Sequence, residues 1–303
     1  MINISCINYT LGDSKPITEI PELAGDDEGA KFLLDRGFKN FRSYDGEPWQ
    51  VGVDAAKKTL EEAKFSPADI DQVVYASISS KNPMIGDLGV GLFANAMNML
   101  ETPIAGVCFG ECTNSMLGLE YATMLVETGR ARNVLLVSTD VACSKEQRMT
   151  SGYTICSDGA AACIVSNERH GEGYSFELVK FQKAYHHLSR AGLSNPGQAF
   201  RDIAKAASFC KSTVTKEFTG KISKWIPNTG NTEVAGAFAS VLGIPLKDYY
   251  LDNLADYAHL FSTDQLVNLI DWASRSNIAD GEYGCGIATG LSGSCSALWR
   301  VRC

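Results

Sequence analysis

The chain has 303 residues, 45% of them hydrophobic and 20% charged, enough to bury one large core or two domains fused around a shared one. A formal net charge of −8 and a pI near 5.1 argue against nucleic acid as a partner, because a phosphate backbone needs a basic face and no basic run of five residues occurs. The first residues, Met1–Cys6, lack the charged-then-apolar layout of a secretory leader. The longest apolar stretches, such as Val134–Val137, fall far short of a membrane span, so no membrane association is expected.

Ten cysteines in a chain of this length do not make a disulfide scaffold. Cys156, Cys163 and Cys295 lie inside apolar runs, there is no C-x-x-C pair, and no second ligand pair follows Cys108 and Cys112 to build a zinc site. Reduced, mostly inert core thiols in a cytoplasmic protein fit this pattern.

In chain order, Val51–Lys64 has the spacing of an amphipathic helix, and Gln72–Ser79 reads as a strand rich in β-branched residues. Pro103–Val107 is strand-like. Thr113–Thr128 is apolar on nearly all sides and stops at Gly129, which predicts an interior helix. Asn133–Thr139 (NVLLVST) and Ser157–Ser166 (SDGAAACIVS) read as buried strands. The second half repeats the grammar, with a strand at Ile222–Pro227, a helix at Thr232–Leu242 ending at Gly243, the start of a strand at Tyr249–Leu251, and a helix from Ser262 to Ser274. Tyr283–Arg302 reads as two strands joined by a tight loop, and its SGSCSALWRV echoes SDGAAACIVS. These elements predict an internally duplicated α/β fold whose halves, residues 1–168 and 169–303, meet near Asn167–Gly173. Lys81–Gly89 and Ala184–Arg201 carry no recognisable pattern.

Thiolate is the nucleophilic form of cysteine, and a helix N-terminus stabilises it through free amides and the macrodipole. Cys112 sits at such a place, after a strand-like run and a short turn and before the buried helix. A cysteine there can also turn its own N–H toward a bound carbonyl and supply half of an oxyanion hole. The competing reading is a buried, unreactive thiol, and Cys108 is the local competitor.

The block GVCFGECTNSMLGLEYATMLVETGRARNVLLVSTDV (Gly106–Val141) resembles the nucleophile segment of ketoacyl-synthase III enzymes, in which a cysteine opens a buried helix. Counting back from Gly129 puts the family's cysteine on Cys112. TSGYTICSDGAAACIV (Thr150–Val165) resembles the family's G-T-x-x-x-G-D-G-A-G-A-x-V stretch, and WIPNTGNTEVAGAFASVLGIP (Trp225–Pro245) the strand-turn-helix that carries its histidine. Val51–Ser80 resembles its first long helix and strand. The resemblance spans roughly residues 50–303. It implies a thiolase-like fold layered αβαβα, an acyl thioester of coenzyme A or of a carrier protein as substrate, no bound cofactor or metal, and a homodimer paired through about Asn133–Thr139.

The family's triad is cysteine, histidine in a Pro-His-x-x-N turn, and asparagine in a Gly-Asn-x-Ser turn. Here the first turn reads Pro227-Asn228-Thr229-Gly230-Asn231, with Asn228 in the histidine's place. Counting backward from Gly281 puts His259 at the asparagine's place, so the resemblance implies the exchanged set Cys112, Asn228, His259. That set holds a nucleophile and a proton shuttle, with a second oxyanion donor expected from the Gly290–Gly293 loop. Decarboxylative condensation asks histidine and asparagine to hold an enolate together, so the exchange favours plain acyl transfer. Against these roles, His259 also reads as a core histidine and Asn228 as ordinary turn chemistry.

Glu111, directly before the cysteine, reads either as an acceptor-activating base or as an ion-paired group, and stays unassigned. Asp158 reads as a turn cap. His170 and His186-His187 read as surface histidines. For coenzyme A, Phe32 stands where the family has a tryptophan and Ser151 where it has an arginine, with Arg148 one turn away; a carrier-protein thioester is at least as well supported. Two alternatives remain, a decarboxylative condensing enzyme and a non-catalytic partner of an active homologue.

Overall fold

The computed structural model describes residues 1–79, 88–150, 154–186 and 195–303. Its architecture starts from strand β1 (Ile2–Leu11), whose first six residues are all buried. A strand with both faces covered reads as a near-continuous apolar run, and INISCI has that character. It lies at the centre of a nine-stranded sheet.

The other strands are β2 (Gln72–Ala76), β3 (Ile104–Val107), β4 (Asn133–Asp140), β5 (Gly159–Ser166), β6 (Ser175–Tyr185), β7 (Ile222–Pro227), β8 (Tyr283–Thr289) and β9 (Gly293–Arg302). They run in the order β7-β8-β9-β6-β1-β5-β4-β2-β3. From β1 outward, β5 and β4 join antiparallel, and β2 and β3 join parallel. From β6 outward, β9 and β8 join antiparallel and β7 joins parallel. The topology therefore repeats, and the two half-sheets meet where β1 pairs antiparallel with β6, Ile4 opposite Phe176.

The main helices are α1 (Asp27–Leu34), α2 (Pro48–Ala63), α3 (Leu88–Ala96), α4 (Asn114–Glu127), α5 (Pro196–Thr215), α6 (Thr232–Leu242) and α7 (Asp264–Ser276). Helix α4 buries Met116, Leu119 and Ala122 in one core with Leu266, Leu269 and Trp272 of α7 and with apolar residues of both half-sheets. These two helices form the central layer. Helices α2 and α3 cover the outer face of the first half-sheet through Val51, Leu60 and Phe93. Helices α5 and α6 cover the second through Ala207, Val214, Ala239 and Leu242. The order of layers is helix, sheet, helix, sheet, helix, as expected. Gly129 ends α4 at φ +68°, a conformation that a side chain would strain.

Three expectations change. Strand β1, strand β6 and helix α5 carry no strand or helix expectation from the sequence, and in β6 the alternation of Phe176 and Leu178 with polar residues breaks at Val179, where the register shifts. Tyr249–Leu251 is not a strand: Tyr249 makes one isolated bridge to Trp225, and both Tyr249 and Tyr250 are buried in the core instead. Asn133–Thr139 cannot be a dimer edge, because β4 is bonded on both sides, to β2 and to β5, and is almost wholly buried. Among the described residues the open edge of the first half-sheet is β3, with Ile104–Val107 only partly covered. Most of Lys81–Gly89, the centre of Ala184–Arg201, Ser151 and His187 lie outside the described residues.

Candidate active site

Strand β3 ends at Val107, and the chain turns through Cys108–Gly110 into one turn of 3-10 helix, Glu111–Thr113, before α4 begins. Side chains tie this turn: Asn114 Oδ1 accepts from the Gly110 N–H at 2.8 Å, and the Thr113 hydroxyl donates to the Gly110 carbonyl at 2.6 Å. Glu111 takes a left-handed φ of +54°, unfavourable for a residue with a Cβ and typical of a backbone held for function. The result is a half-buried Cys112 at the mouth of the buried helix, whereas Cys108 is exposed on the loop.

His259 arrives from the other half of the chain. After the one-turn helix Leu254–Tyr257, Ala258 reverses direction at φ +50°. His259 is then pinned between Ile155, whose carbonyl accepts from its N–H at 3.0 Å, and Ser157, whose N–H donates to its carbonyl at 2.7 Å. Its Nε2 lies 3.2 Å from the Cys112 Sγ. Nδ1 lies 2.5 Å from Oδ2 of Asp264, the first residue of α7. Asp264 is fully buried, and its remaining acceptor capacity is filled by the N–H groups of Thr229 (2.7 Å) and Leu260 (2.9 Å). Burial alone would drive His259 toward neutrality. The Asp264 carboxylate and the Cys112 sulfur outweigh it and hold the imidazole well above its ordinary value of 6.5.

The geometry is therefore a cysteine, a histidine and an aspartate in line. Motif spacing predicts Cys112 and His259 at one site and leaves out Asp264. Its one signal was an acidic residue five positions after the histidine at a helix start, where a carboxylate ordinarily serves the helix terminus.

Asn228 reaches the nucleophile's backbone rather than its sulfur. Its Nδ2 donates to the Cys112 carbonyl at 3.3 Å, and its Oδ1 accepts from the Thr289 N–H at 2.6 Å. Glu111 accepts from the Leu291 N–H at 2.6 Å through Oε2; burial raises its carboxyl while that amide pulls the other way. Gly290 donates to the Gly293 carbonyl. So the first two amides of the Gly290–Gly293 loop, expected to include an oxyanion donor, already have acceptors. Gly290 itself sits so close to the nucleophile turn that a Cβ would meet the Gly110 carbonyl oxygen at 2.9 Å.

A cavity of about 160 Å³ opens beside His259 and Asn228, walled by Val234, Ala235, Phe238 and Leu242 of α6 and by Ile287. Ser151, expected at the adenine-clasping arginine's place, lies outside the described residues; Arg148, one turn away, is turned inward, with its guanidinium on Asp158 (2.7 Å) and on the carbonyls of Cys156 (2.6 Å) and Arg42 (3.2 Å). The Phe32 ring is covered by Arg36 at 3.4 Å. Asp158 thus anchors a buried ion pair besides capping the Tyr44 and Ala142 amides. His170 is half-buried against Phe65 rather than on the surface.

All ten cysteines are unpaired, and burial pushes Cys156 up to about 11 and Cys210 up to about 12. Among the described residues no cluster of three His, Cys, Asp or Glu side chains could hold a metal ion, and no helix is long and apolar enough to cross a membrane.

The family model for 3-oxoacyl-[acyl-carrier-protein] synthase III matches residues 109–182. The β-ketoacyl-[acyl-carrier-protein] synthase III of Chlamydia caviae is 32% identical over 124 residues, which are 40% of this chain and only 36% of that enzyme. That of Fusobacterium nucleatum is 25% identical over 272 residues, 80% of each chain. A solved structure of ChlB3, described as an acyltransferase, superposes with a TM-score of 0.84 at 15% identity, covering 99% of this chain and 97% of that one.

Proposed function

The chain is a ketoacyl-synthase III-like protein of the thiolase fold, and from that premise we propose that it is an acyltransferase carrying an acyl group on Cys112 from a thioester to a small acceptor. The observation that carries this reading is the aligned Cys112–His259–Asp264 set. In the first half-reaction the Cys112 sulfur attacks the thioester carbonyl carbon, a C–S bond forms, and the departing thiol takes its proton from Nε2 of His259. In the second, the now neutral Nε2 removes the proton of an acceptor hydroxyl, amine or thiol as that atom attacks the acyl carbon. The Cys112–acyl bond breaks, and the sulfur leaves facing the imidazolium again. Asp264 fixes the tautomer that keeps Nε2 toward the sulfur and stabilises the imidazolium at each turn. The Cys112 N–H, at the helix mouth, is the first oxyanion donor.

Decarboxylative condensation would need a second donor beside His259 for the enolate oxygen. Asn228 occupies the place where the family's histidine stands, but its Oδ1 is held by the Thr289 N–H and one Nδ2 hydrogen by the Cys112 carbonyl, which turns the amide toward backbone. This favours transfer over carbon–carbon bond formation. The inward-turned Arg148 and the covered Phe32 ring favour a carrier-protein thioester over coenzyme A as donor. The apolar cavity at His259 suits the uncharged part of the thioester. We also propose a homodimer, formed through the open edge of β3. Incubation with acyl thioesters of both kinds, followed by intact-mass measurement, tests the reading: one acyl group should appear on the wild type and none on Cys112→Ala. Uptake by Cys112→Ala, or carbon dioxide release coupled to a condensation product, would refute it.

A further inference from the structure

Asp140, the last residue of β4, has no exposed surface and no ion-pair partner among the described residues. Its Oδ1 accepts from the N–H groups of Ile78 (2.8 Å) and Ser79 (3.2 Å) and from the hydroxyls of Ser77 and Ser79, both at 3.2 Å. Its Oδ2 accepts from the Ser262 hydroxyl at 3.3 Å. Ser262 lies between His259 and Asp264 in the chain. The Ser262 carbonyl accepts from Ser115, on the first turn of α4, at 2.5 Å, and the Ser262 hydroxyl lies 2.9 Å from that of Ser138. Ala258 and Phe261 hold left-handed φ values of +50° and +51° in this segment, a conformation that persists only where surrounding contacts over-determine it.

We propose that Asp140 is a positioning residue for the transfer site: through the Ser262 hydroxyl it holds the His259–Asp264 segment over the Cys112 sulfur. The proposal rests on the reading of that site as the acyl-transfer centre. Burial pushes the Asp140 carboxyl up to about 6 against hydrogen bonds from Ile78, Ser79 and Ser77 that pull it down. A buried carboxylate without a cation costs stability, and here it reaches the base-carrying segment through Ser262, whose carbonyl in turn accepts from Ser115 of α4. It joins the end of β4 and residues 77–79, after β2, to the segment that carries the base.

The test uses the full chain with Asp140→Ala, Ser262→Ala and the double variant, and follows alkylation of Cys112 by iodoacetamide across pH, read on the Cys112 peptide by mass spectrometry. It needs no thioester, so its failure is distinct from failure of the acyl-transfer reading. The imidazolium facing the sulfur favours its nucleophilic form, so loss of that neighbour slows alkylation by roughly tenfold. Each single variant should show that loss at pH 7, with the pH dependence that His259 gives to the alkylation rate weakened, and the double variant should be no slower than either. Asp140→Asn, whose amide can donate to the Ser262 hydroxyl, should keep the wild-type profile. A Ser262→Ala protein with an unchanged Cys112 profile and only a lowered melting temperature would overturn the proposal, as would single effects that multiply in the double variant.

Discussion

Asp264 Oδ2 lies 2.5 Å from the His259 Nδ1, on the opposite side of the ring from the Cys112 sulfur, which lies 3.2 Å from Nε2. A carboxylate there dictates that Nδ1 carries a proton, so Nε2 is the nitrogen that exchanges protons with the nucleophile. Asp264→Asn removes the charge and lets an amide N–H face Nδ1, which favours the wrong tautomer. Transfer turnover should fall by about 10²- to 10⁴-fold, the upper figure matching what the same change does in a serine-nucleophile triad. KM should change little, because the carboxylate does not touch substrate. Steady-state kinetics with one thioester and one acceptor would check it, and turnover within threefold of wild type would remove Asp264 from the mechanism.

The raised His259 value also makes a statement about stability. A folded-state value above the unfolded one, near 6.5, means that the native chain keeps a proton that the unfolded chain has released over the interval between them. The stabilisation is complete below about 6.5 and is lost as pH rises through the folded value. Wild-type protein should therefore lose resistance to urea as pH rises above 6.5, and His259→Gln should lose less over the same range. Urea midpoints at several pH values would show it; parallel pH profiles for the two proteins would contradict it.

Cys112 and His259 were legible because each sits in a motif with fixed spacing to a structural marker, Gly129 for one and Gly281 for the other. Asp264 was not, because what it does depends on a five-residue segment bent by Ala258 and Phe261 into left-handed conformations. Helical spacing on either side says nothing about such a bend. Asn228 lies within hydrogen-bond reach of Cys112, but whether its amide faces sulfur or backbone is decided by the distance to Thr289, sixty-one residues away. The central layer was legible in the all-round apolarity of α4. The β1–β6 junction was not, since pairing between strands so distant in sequence leaves no local trace.

Asn228 fastens the C-terminal loop to the nucleophile turn, and Gly290 of that loop lies close against the turn. Asn228→Ala removes two hydrogen bonds, about 1 kcal/mol each, so the melting temperature should drop by a few degrees. The rate of acyl-adduct formation should drop as well, because the Cys112 carbonyl loses its tether. Gly290→Ala should act through the same contact from the opposite side, its Cβ pressing on the Gly110 carbonyl oxygen at 2.9 Å, a backbone atom with little room to yield. Time-resolved intact mass would measure both. If either variant acylates at the wild-type rate, the loop is a bystander to the nucleophile.

The open edge of β3 leads to the last prediction. An unpaired edge strand offers free N–H and C=O groups to another strand, and proteins cover or charge such edges unless they are used. Ile104–Val107 carries no charged residue, and two residues beyond it Phe109 is 90% exposed. A ring so exposed beside an uncovered edge, on the loop leading to Cys112, is costly in a monomer and useful in a symmetric pair. Phe109→Glu would put two carboxylates face to face across a two-fold axis. Wild-type protein should sediment at twice 32.7 kDa, and Phe109→Glu mostly at the single-chain mass. Its acylation should also slow, because the Phe109 loop leads into the turn that carries Cys112. A wild-type chain that sediments as a monomer at micromolar concentration would leave β3 a true edge and the pairing reading without support.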